Sequence, residues 1–522
     1  MPPAGVDAAA AGSAAPVLHV DGGLNANVVQ AEYAVRGRIY KEAAARQAAG
    51  KEVILTNTGN PQALGQKPIS FMRQVLALVN YPELLDRPEA AQLFPADALA
   101  RARTYVENIP GGTGAYQDSR GNGFIRGEVA AFIAARDGHP AEPDNIFLSD
   151  GAGPAIQHCL RMVIRDENDG ILLSIPQYPL YSAAIQVFGG RIVGYELDEE
   201  HDWSLNVAEL DRRVADARAQ GVTVRAMVII NPGNPTGQVL SYDNMRELVL
   251  WAKRERVVLM ADEVYQVNIF GSRPFTSFKK VVRDLGDEAS SVELFSFHTV
   301  SKGVTGECGH RGGYVEATNI DADVMAQLYK LFSMNLSSNV DGQVLMGLMV
   351  NPPKEGDESY KQYLEETQGI YKAHRRRAQR LHEAFNKLEG VTCRSVEVRR
   401  RRRVRGGGGA RARPSDTGRP HFLLLAQNPV HSIASSIFYL THTPPLSPSP
   451  TPNLGRAVRL SANHAERGCR QGGRGRQGGA RPLLLPGAAG RDGHLLRAGL
   501  GLWPEEGHIS PPHHHPAPGR PV

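Results

Sequence analysis

Four short stretches of the chain hold residues whose types and spacing can do chemistry together. The first is SFHTVSKGVTGECGHRGGY, Ser296 to Tyr314. An apolar run ends at Phe297, a Ser/Thr-rich turn leads to Lys302, and Arg311 follows beside Gly312 and Gly313. A lysine that condenses with a carbonyl must be fixed in place with its amine partly neutral, and burial or nearby positive charge lowers its pKa to that end. Thr299 and Arg311 supply hydroxyl and guanidinium donors for a phosphate. The second stretch is NPGNPTG, Asn231 to Gly237, directly after the apolar run VRAMVII. A strand followed by a turn explains its prolines and glycines. It does not explain two asparagines at a strand end, and Asn234 can donate to a phenolate oxygen. The third is VVLMADEVY, Val257 to Tyr265. Asp262 closes a buried run and needs a cationic partner there, for which a protonated ring nitrogen serves. Tyr265 can join Asn234 at the phenolate. The fourth is SDGAGPA, Ser149 to Ala155, a strand entering a helix through a Gly/Ala turn. Backbone N–H groups at a helix start attract anions, and Ala152 and Gly153 let a phosphate approach closely. Singly, each has a plain reading: a surface lysine, a turn, a helix-capping aspartate, a helix start. Their co-occurrence carries the chemistry.

The elements that must position these residues alternate. Short β-branched runs stand at Asn145–Ser149, Gly170–Ile175, Val224–Ile230, Val257–Ala261 and Leu294–Phe297, and several lack polar alternation, as strands covered on both faces do. From Val53 to about Lys330 such runs interleave with amphipathic segments. The expectation is an α/β domain with a mostly parallel central sheet. Ligands of such sheets bind at the carboxyl ends of the strands, where all four motifs fall. Glu32 to Ala49 and Tyr360 to Glu389 read as helices flanking this region.

The 522 residues are 41% apolar and 22% charged, with a net charge of +5, a composition for a globular protein of two or more domains. Four cysteines, Cys159, Cys308, Cys393 and Cys469, form no metal-ligand spacing, so a reducing compartment is expected. No apolar run reaches membrane-spanning length. Residues 1–24 read as an Ala-rich leader without secretory or transit features. The expected location is the cytoplasm, with peroxisome or mitochondrion as alternatives.

The order along the chain is phosphate turn, Asn, Asp/Tyr, Lys, Arg. It resembles the fold-type I pyridoxal-phosphate (PLP) enzymes of aminotransferase class I/II. GNPQALGQKPISF, GAYQDSRG, IPQYPLYSA, NPGNPTGQVLS, DEVYQ and SKGVTGECGHRGGY are similar to the alanine aminotransferase branch, which includes the glutamate:glyoxylate aminotransferases. The resemblance runs from about Asn25 to Cys393. It implies a large PLP-binding domain over 101–330, with an arm and part of a smaller α/β domain over 25–100. An interdomain helix and the start of the small domain would follow over 331–395. It implies PLP as cofactor, Lys302 as its anchor and as the catalytic base, and amino acids and 2-oxo acids as substrates. Tyr178 would stack on the ring. Tyr116 would reach the phosphate of the neighbouring subunit of a homodimer. Gly59 would meet the substrate carboxylate. No metal and no nucleic acid is expected. Thr299 and Gly153 stand where serine is common.

After Val391 regular periodicity fails. Five arginines run from Arg399 to Arg403, four glycines follow from Gly406, and Thr443–Pro452 is rich in Pro, Ser and Thr. The family's closing GTFHLRTTILP-like segment, whose arginine grips the substrate α-carboxylate, is not written here. Yet GHISPPHHHP, Gly507 to Pro516, becomes GTFHLRTTILP under an allowed set of codons running into Ala517 and read one nucleotide later. The same shift turns His494–Gly507 and Pro482–Ala489 into family-like segments. The expectation for 396–522 is a low-complexity tail composed of retained intron and a frame-shifted C-terminus.

Overall fold

A computed structural model of the chain describes residues 17–55, 59–394 and the backbone of 422–423. The expectations for residues 1–16 and for the arginine run and frame-shifted tail lie outside these residues.

Seven strands form one sheet: β1 (Ile146–Ser149), β2 (Asp169–Ile175), β3 (Arg191–Glu196), β4 (Thr223–Ile230), β5 (Val258–Asp262), β6 (Leu294–Thr299) and β7 (Gly313–Thr318). Their spatial order is β1-β7-β6-β5-β4-β2-β3. β2, β3, β4, β5 and β6 run parallel, and β7 lies antiparallel between β6 and β1. β1 therefore points the same way as the other five. Five strands match the runs read from sequence to within two residues. β3 and β7 were not among them. β3 is an edge with exposed positions, and β7 follows directly from the Gly312–Gly313 pair without a turn signal of its own.

The sheet works as a two-faced core. Leu172, Met227, Ile229, Leu259, Ala261 and Leu294 pack on one face against the helices Val207–Ala219 and Tyr242–Glu255. Their neighbours Ile171, Leu173, Val228, Ile230, Met260 and Phe295 pack on the other, against the helices Ala152–Val163 and Pro179–Val187. Side chains alternate across a strand, so a run that is apolar at every position is covered on both sides. Each fully buried large aliphatic or aromatic contributes about 1.5–3 kcal/mol by leaving water.

The expected alternation from Val53 begins only at β1. Between Ser70 and Asp137 the described elements are helical, chiefly Ser70–Asn80, Ala96–Asn108 and Gly123–Asp137. These pack with the helix Val340–Val350 around Tyr105, Phe71 and Leu345 in a third apolar cluster. The helix expected at Glu32–Ala49 starts at Arg38, because Gly37 takes the extended cap position after a short turn at Ala34–Arg36. The long charged helix spans Tyr360–Phe385. Val391–Thr392 pairs in parallel with Phe422–Leu423. Among the described residues no helix is long and apolar enough to cross a membrane.

Candidate active site

Because β7 runs against its neighbours, the edge where the other six strands end is also the edge where β7 begins. The four motifs meet there. Residues after β1 (Gly151–Gly153), β2 (Tyr178), β4 (Asn234), β5 (Asp262–Tyr265) and β6 (Thr299–Lys302), and Arg311 before β7, share one rim.

At its centre lies Asp262, the last residue of β5, 4% exposed. Its Oδ2 accepts the Tyr181 hydroxyl at 2.8 Å and its Oδ1 accepts a long bond from the Val264 N–H at 3.4 Å. Burial raises its pKa, against Tyr181, Val264 and Lys302, which lower it. Among the described residues no basic side chain stands within ion-pair distance of it. Tyr181, wholly buried, was not singled out from sequence. It lies one helical turn beyond Tyr178 in QYPLYSA, so both face the same rim.

Asn234 donates from Nδ2 to the Tyr265 hydroxyl at 3.3 Å, and the Lys302 ammonium lies 5.6 Å from the centre of the Tyr265 ring. Tyr178 is half-buried and its pKa is raised, by burial first and then by Tyr33, whose hydroxyl lies 3.5 Å away. Lys302 departs from expectation. Burial pulls its pKa down, but Tyr265, Cys308 and Asp262 outweigh burial and hold it above the ordinary lysine value. In this protein alone the amine is charged, and of the two expected causes of a lower value only burial acts on it among the described residues.

The second half of the site surrounds the start of the helix Ala152–Val163. Its cap, Gly151, has φ +85°, and a Cβ built there would meet the Arg311 guanidinium at 2.6 Å. Arg311 donates to the carbonyls of Asp150 and Cys308, both at 2.9 Å, and among the described residues no carboxylate neutralises it. Thr299 donates to Gly312 O at 2.6 Å and accepts from the Ser301 N–H at 3.2 Å. Gly313 passes so close to Gly151 and Ala152 that a Cβ would stand 2.7 Å from backbone. The Arg311 guanidinium, the helix start at Ala152 and the Thr299 hydroxyl therefore lie around one tight stretch of backbone, and they are donors of the kind a phosphate requires. Gly151→Val would place a branched side chain where only glycine is comfortable. The expected result is a loss of about 1–3 kcal/mol of stability and weaker phosphate-ligand retention, read by thermal melting and visible absorbance.

Two expected residues are not brought into this group. Tyr116 is 75% exposed, in the loop before the helix Gly123–Asp137. Gly59 is half-buried, and in the segment that follows it Gln62 donates to Gly306 O at 3.3 Å and Arg73 pairs with Glu307 at 2.8 Å.

Glu263 alternates with Asp262 and is 1% exposed. Burial pushes its carboxyl up to about 8, although Arg136 pulls it down. The folded protein thus keeps a proton that the unfolded chain releases above the ordinary value of 4.5. Stability from this group is full below that value and is lost as pH rises towards about 8. Glu263→Gln should flatten the fall in melting temperature across this window. Parallel curves for the two proteins would contradict the assignment.

The family described as aminotransferase class I and II matches residues 87–397. Glutamate–glyoxylate aminotransferase 1 of Arabidopsis thaliana is 54% identical over 376 residues, which is 72% of this chain and 78% of that one. This chain belongs to the class I and II aminotransferases. Alanine aminotransferase 2 of Panicum miliaceum is 49% identical over 385 residues, 72% of this chain and 80% of its own. The alanine aminotransferase structure from Pyrococcus furiosus superposes with a TM-score of 0.57 at 19% identity, covering 72% and 82% of the two chains, a likeness of fold. The protein is an enzyme, a transferase of fold type I whose cofactor is PLP and whose substrates are amino acids and 2-oxo acids. The residues present fit that cofactor. Among the described residues the buried Asp262 has no cationic side chain within ion-pair distance, the Arg311–Gly151 cradle suits a phosphate, and the Asn234–Tyr265 pair offers donors to a ring oxygen.

Proposed function

We propose that Lys302 is the anchor and proton carrier of a transamination between L-alanine and 2-oxoglutarate, giving pyruvate and L-glutamate. The observation that carries this reading is the rim itself: Lys302, Tyr265, Asn234 and Asp262 come from three different strand ends yet lie together. PLP, when bound, supplies a protonated ring that stores the electron pair left when the amino acid loses its α-proton. Asp262 holds the ring-nitrogen proton in place, and Tyr181 fixes the carboxylate that does so. Asn234 and Tyr265 donate towards the ring oxygen. Arg311, Thr299 and the N–H groups at Ala152 and Gly153 hold the phosphate, and Tyr178 covers one face of the ring. Lys302 would take the proton from Cα of the amino acid and deliver it, across the amino nitrogen, to the carbonyl-derived carbon of the cofactor. Gly59 lines the substrate side.

A second reading, transfer between glutamate and glyoxylate, is supported by the higher identity to the Arabidopsis relative of that name. Initial rates with alanine plus 2-oxoglutarate and with glutamate plus glyoxylate, on one preparation, separate the two. A larger kcat/KM for the first pair supports the leading reading, and a larger value for the second overturns it.

The active unit we propose is a homodimer. Tyr116, Met334 and Leu336 are 75%, 69% and 53% exposed, and Ser119 ties the first loop to the second through Leu336 O at 2.7 Å. An apolar rim of this kind suits a partner subunit, with Tyr116 reaching across to its phosphate. Light scattering at micromolar concentration should give the mass of two chains.

We also retain the frame reading for 396–522, supported by the family match ending at residue 397. On that reading this chain keeps the cofactor residues and lacks the carboxylate-gripping arginine, so substrate KM is high. Messenger RNA continuous with the present frame would sink it.

A further inference from the structure

The DEVYQ motif holds two residues that the cofactor reading leaves unused, Glu263 and Gln266. Asp262 and Tyr265 contact Tyr181 and Asn234 at the rim, and Glu263 and Gln266, 1% and 6% exposed, make their contacts elsewhere. They meet Arg136, the second-last residue of the helix Gly123–Asp137. Arg136 donates from Nη1 to Gln266 Oε1 at 3.1 Å, with Glu263 Oε2 at 4.0 Å from the same nitrogen. Its other two nitrogens grip Asp137 at 2.7 and 2.6 Å. Asp137 accepts the Ser277 hydroxyl at 2.8 Å, and the next residue, Phe278, donates its N–H to Glu263 Oε1 at 2.7 Å. The contacts close into a ring that joins the helix end at Arg136, the turn after β5 and the start of the helix Phe278–Asp284. Inside the turn, Gln266 donates its backbone N–H and its Nε2 to Glu263 O, at 3.1 and 3.3 Å.

We propose that Arg136, acting through Gln266 and Glu263, is a positioning residue that sets the turn presenting Asp262 and Tyr265 to the cofactor. The inference rests on the cofactor reading of those two residues. A buried bidentate guanidinium fixes orientation as well as charge, and groups that orient ligand-binding residues from behind typically shift affinity when removed. The four residues Glu263–Gln266 are short enough that a displaced Gln266 moves Tyr265 directly.

The test uses the full chain, stripped of PLP and titrated with it. Gln266→Met keeps the volume and leaves the Arg136–Asp137 pair intact. It should weaken PLP binding about tenfold and reduce the visible circular dichroism per bound PLP, with little change in melting temperature. Arg136→Lys keeps the charge but not the fork, and should do the same if Gln266→Met fails to fold. Arg165→Gln is the stability control, since it breaks the bidentate pair to the buried Asp169 far from the rim. It should lower the melting temperature and leave PLP binding unchanged. PLP loss in Arg165→Gln equal to that in Gln266→Met would reduce Arg136 to a structural residue and overturn the proposal. Wild-type affinity and dichroism in Gln266→Met, with Asp262→Asn impaired, would also overturn it. Wild-type behaviour in Asp262→Asn itself would instead overturn the cofactor reading on which it rests.

Discussion

Lys302→Ala is expected to lower the rate of the amino-acid half-reaction by at least on the order of 10⁴-fold, since one change removes the anchor and the proton carrier together. PLP should still bind, held by Arg311, Thr299 and the helix start at Ala152. The bound cofactor should then be released by dilution or dialysis, where the unaltered chain retains it. A single-turnover measurement with alanine, followed in the visible band, reads the rate without depending on the second substrate. The charged state of Lys302 sharpens the expectation. Tyr265, Cys308 and Asp262 hold the ammonium above its ordinary pKa in the protein alone, so the amine becomes a base only once the ligand changes that balance. A Lys302→Ala protein that retained the wild-type half-reaction rate would place the chemistry on another residue.

Asp262→Asn should come second, with a loss of about 10²–10³ in the same half-reaction. Asparagine keeps the shape and can still accept from Tyr181, so the fold should hold. What is lost is the negative charge that keeps the ring nitrogen protonated. Desolvation already raises the Asp262 pKa, against the Tyr181 hydroxyl at 2.8 Å, one long backbone bond and the more distant charge of Lys302. A carboxylate buried this deeply, with no cationic side chain in ion-pair contact among the described residues, is costly in the protein alone. Bound PLP should therefore stabilise the unaltered chain more than the variant. The difference in melting temperature with and without PLP measures that directly, and equal differences would remove Asp262 from the ring nitrogen.

Much of this site was legible because the topology sends every motif to one edge. Lys302, Asp262 and Asn234 each follow an apolar run, and a parallel sheet puts the ends of such runs side by side. The run at Val224–Ile230 proved to be a central strand for the reason that made it visible: it is covered on both faces. What the sequence left obscure had physical causes. β7 reverses direction, so Arg311 enters the rim from the beginning of a strand. Tyr181 acts by a contact with Asp262 across 81 positions of sequence, and nothing local marks it. Arg136 belongs to a helix whose pattern reads as ordinary amphipathic surface, and only the folded chain shows its ring of partners. Burial was expected to neutralise Lys302, but tertiary neighbours of opposite tendency outweigh it. Tyr116 is exposed within this single chain and is not brought to the rim.

The central claim is that Lys302 carries the cofactor. Borohydride reduction of the PLP-loaded chain, followed by peptide mapping, reads this in one step. The account predicts the pyridoxyl group on the peptide containing Lys302 and on no other. Its attachment to a different lysine, such as the buried Lys279, or stoichiometric PLP with no covalent label, would contradict it.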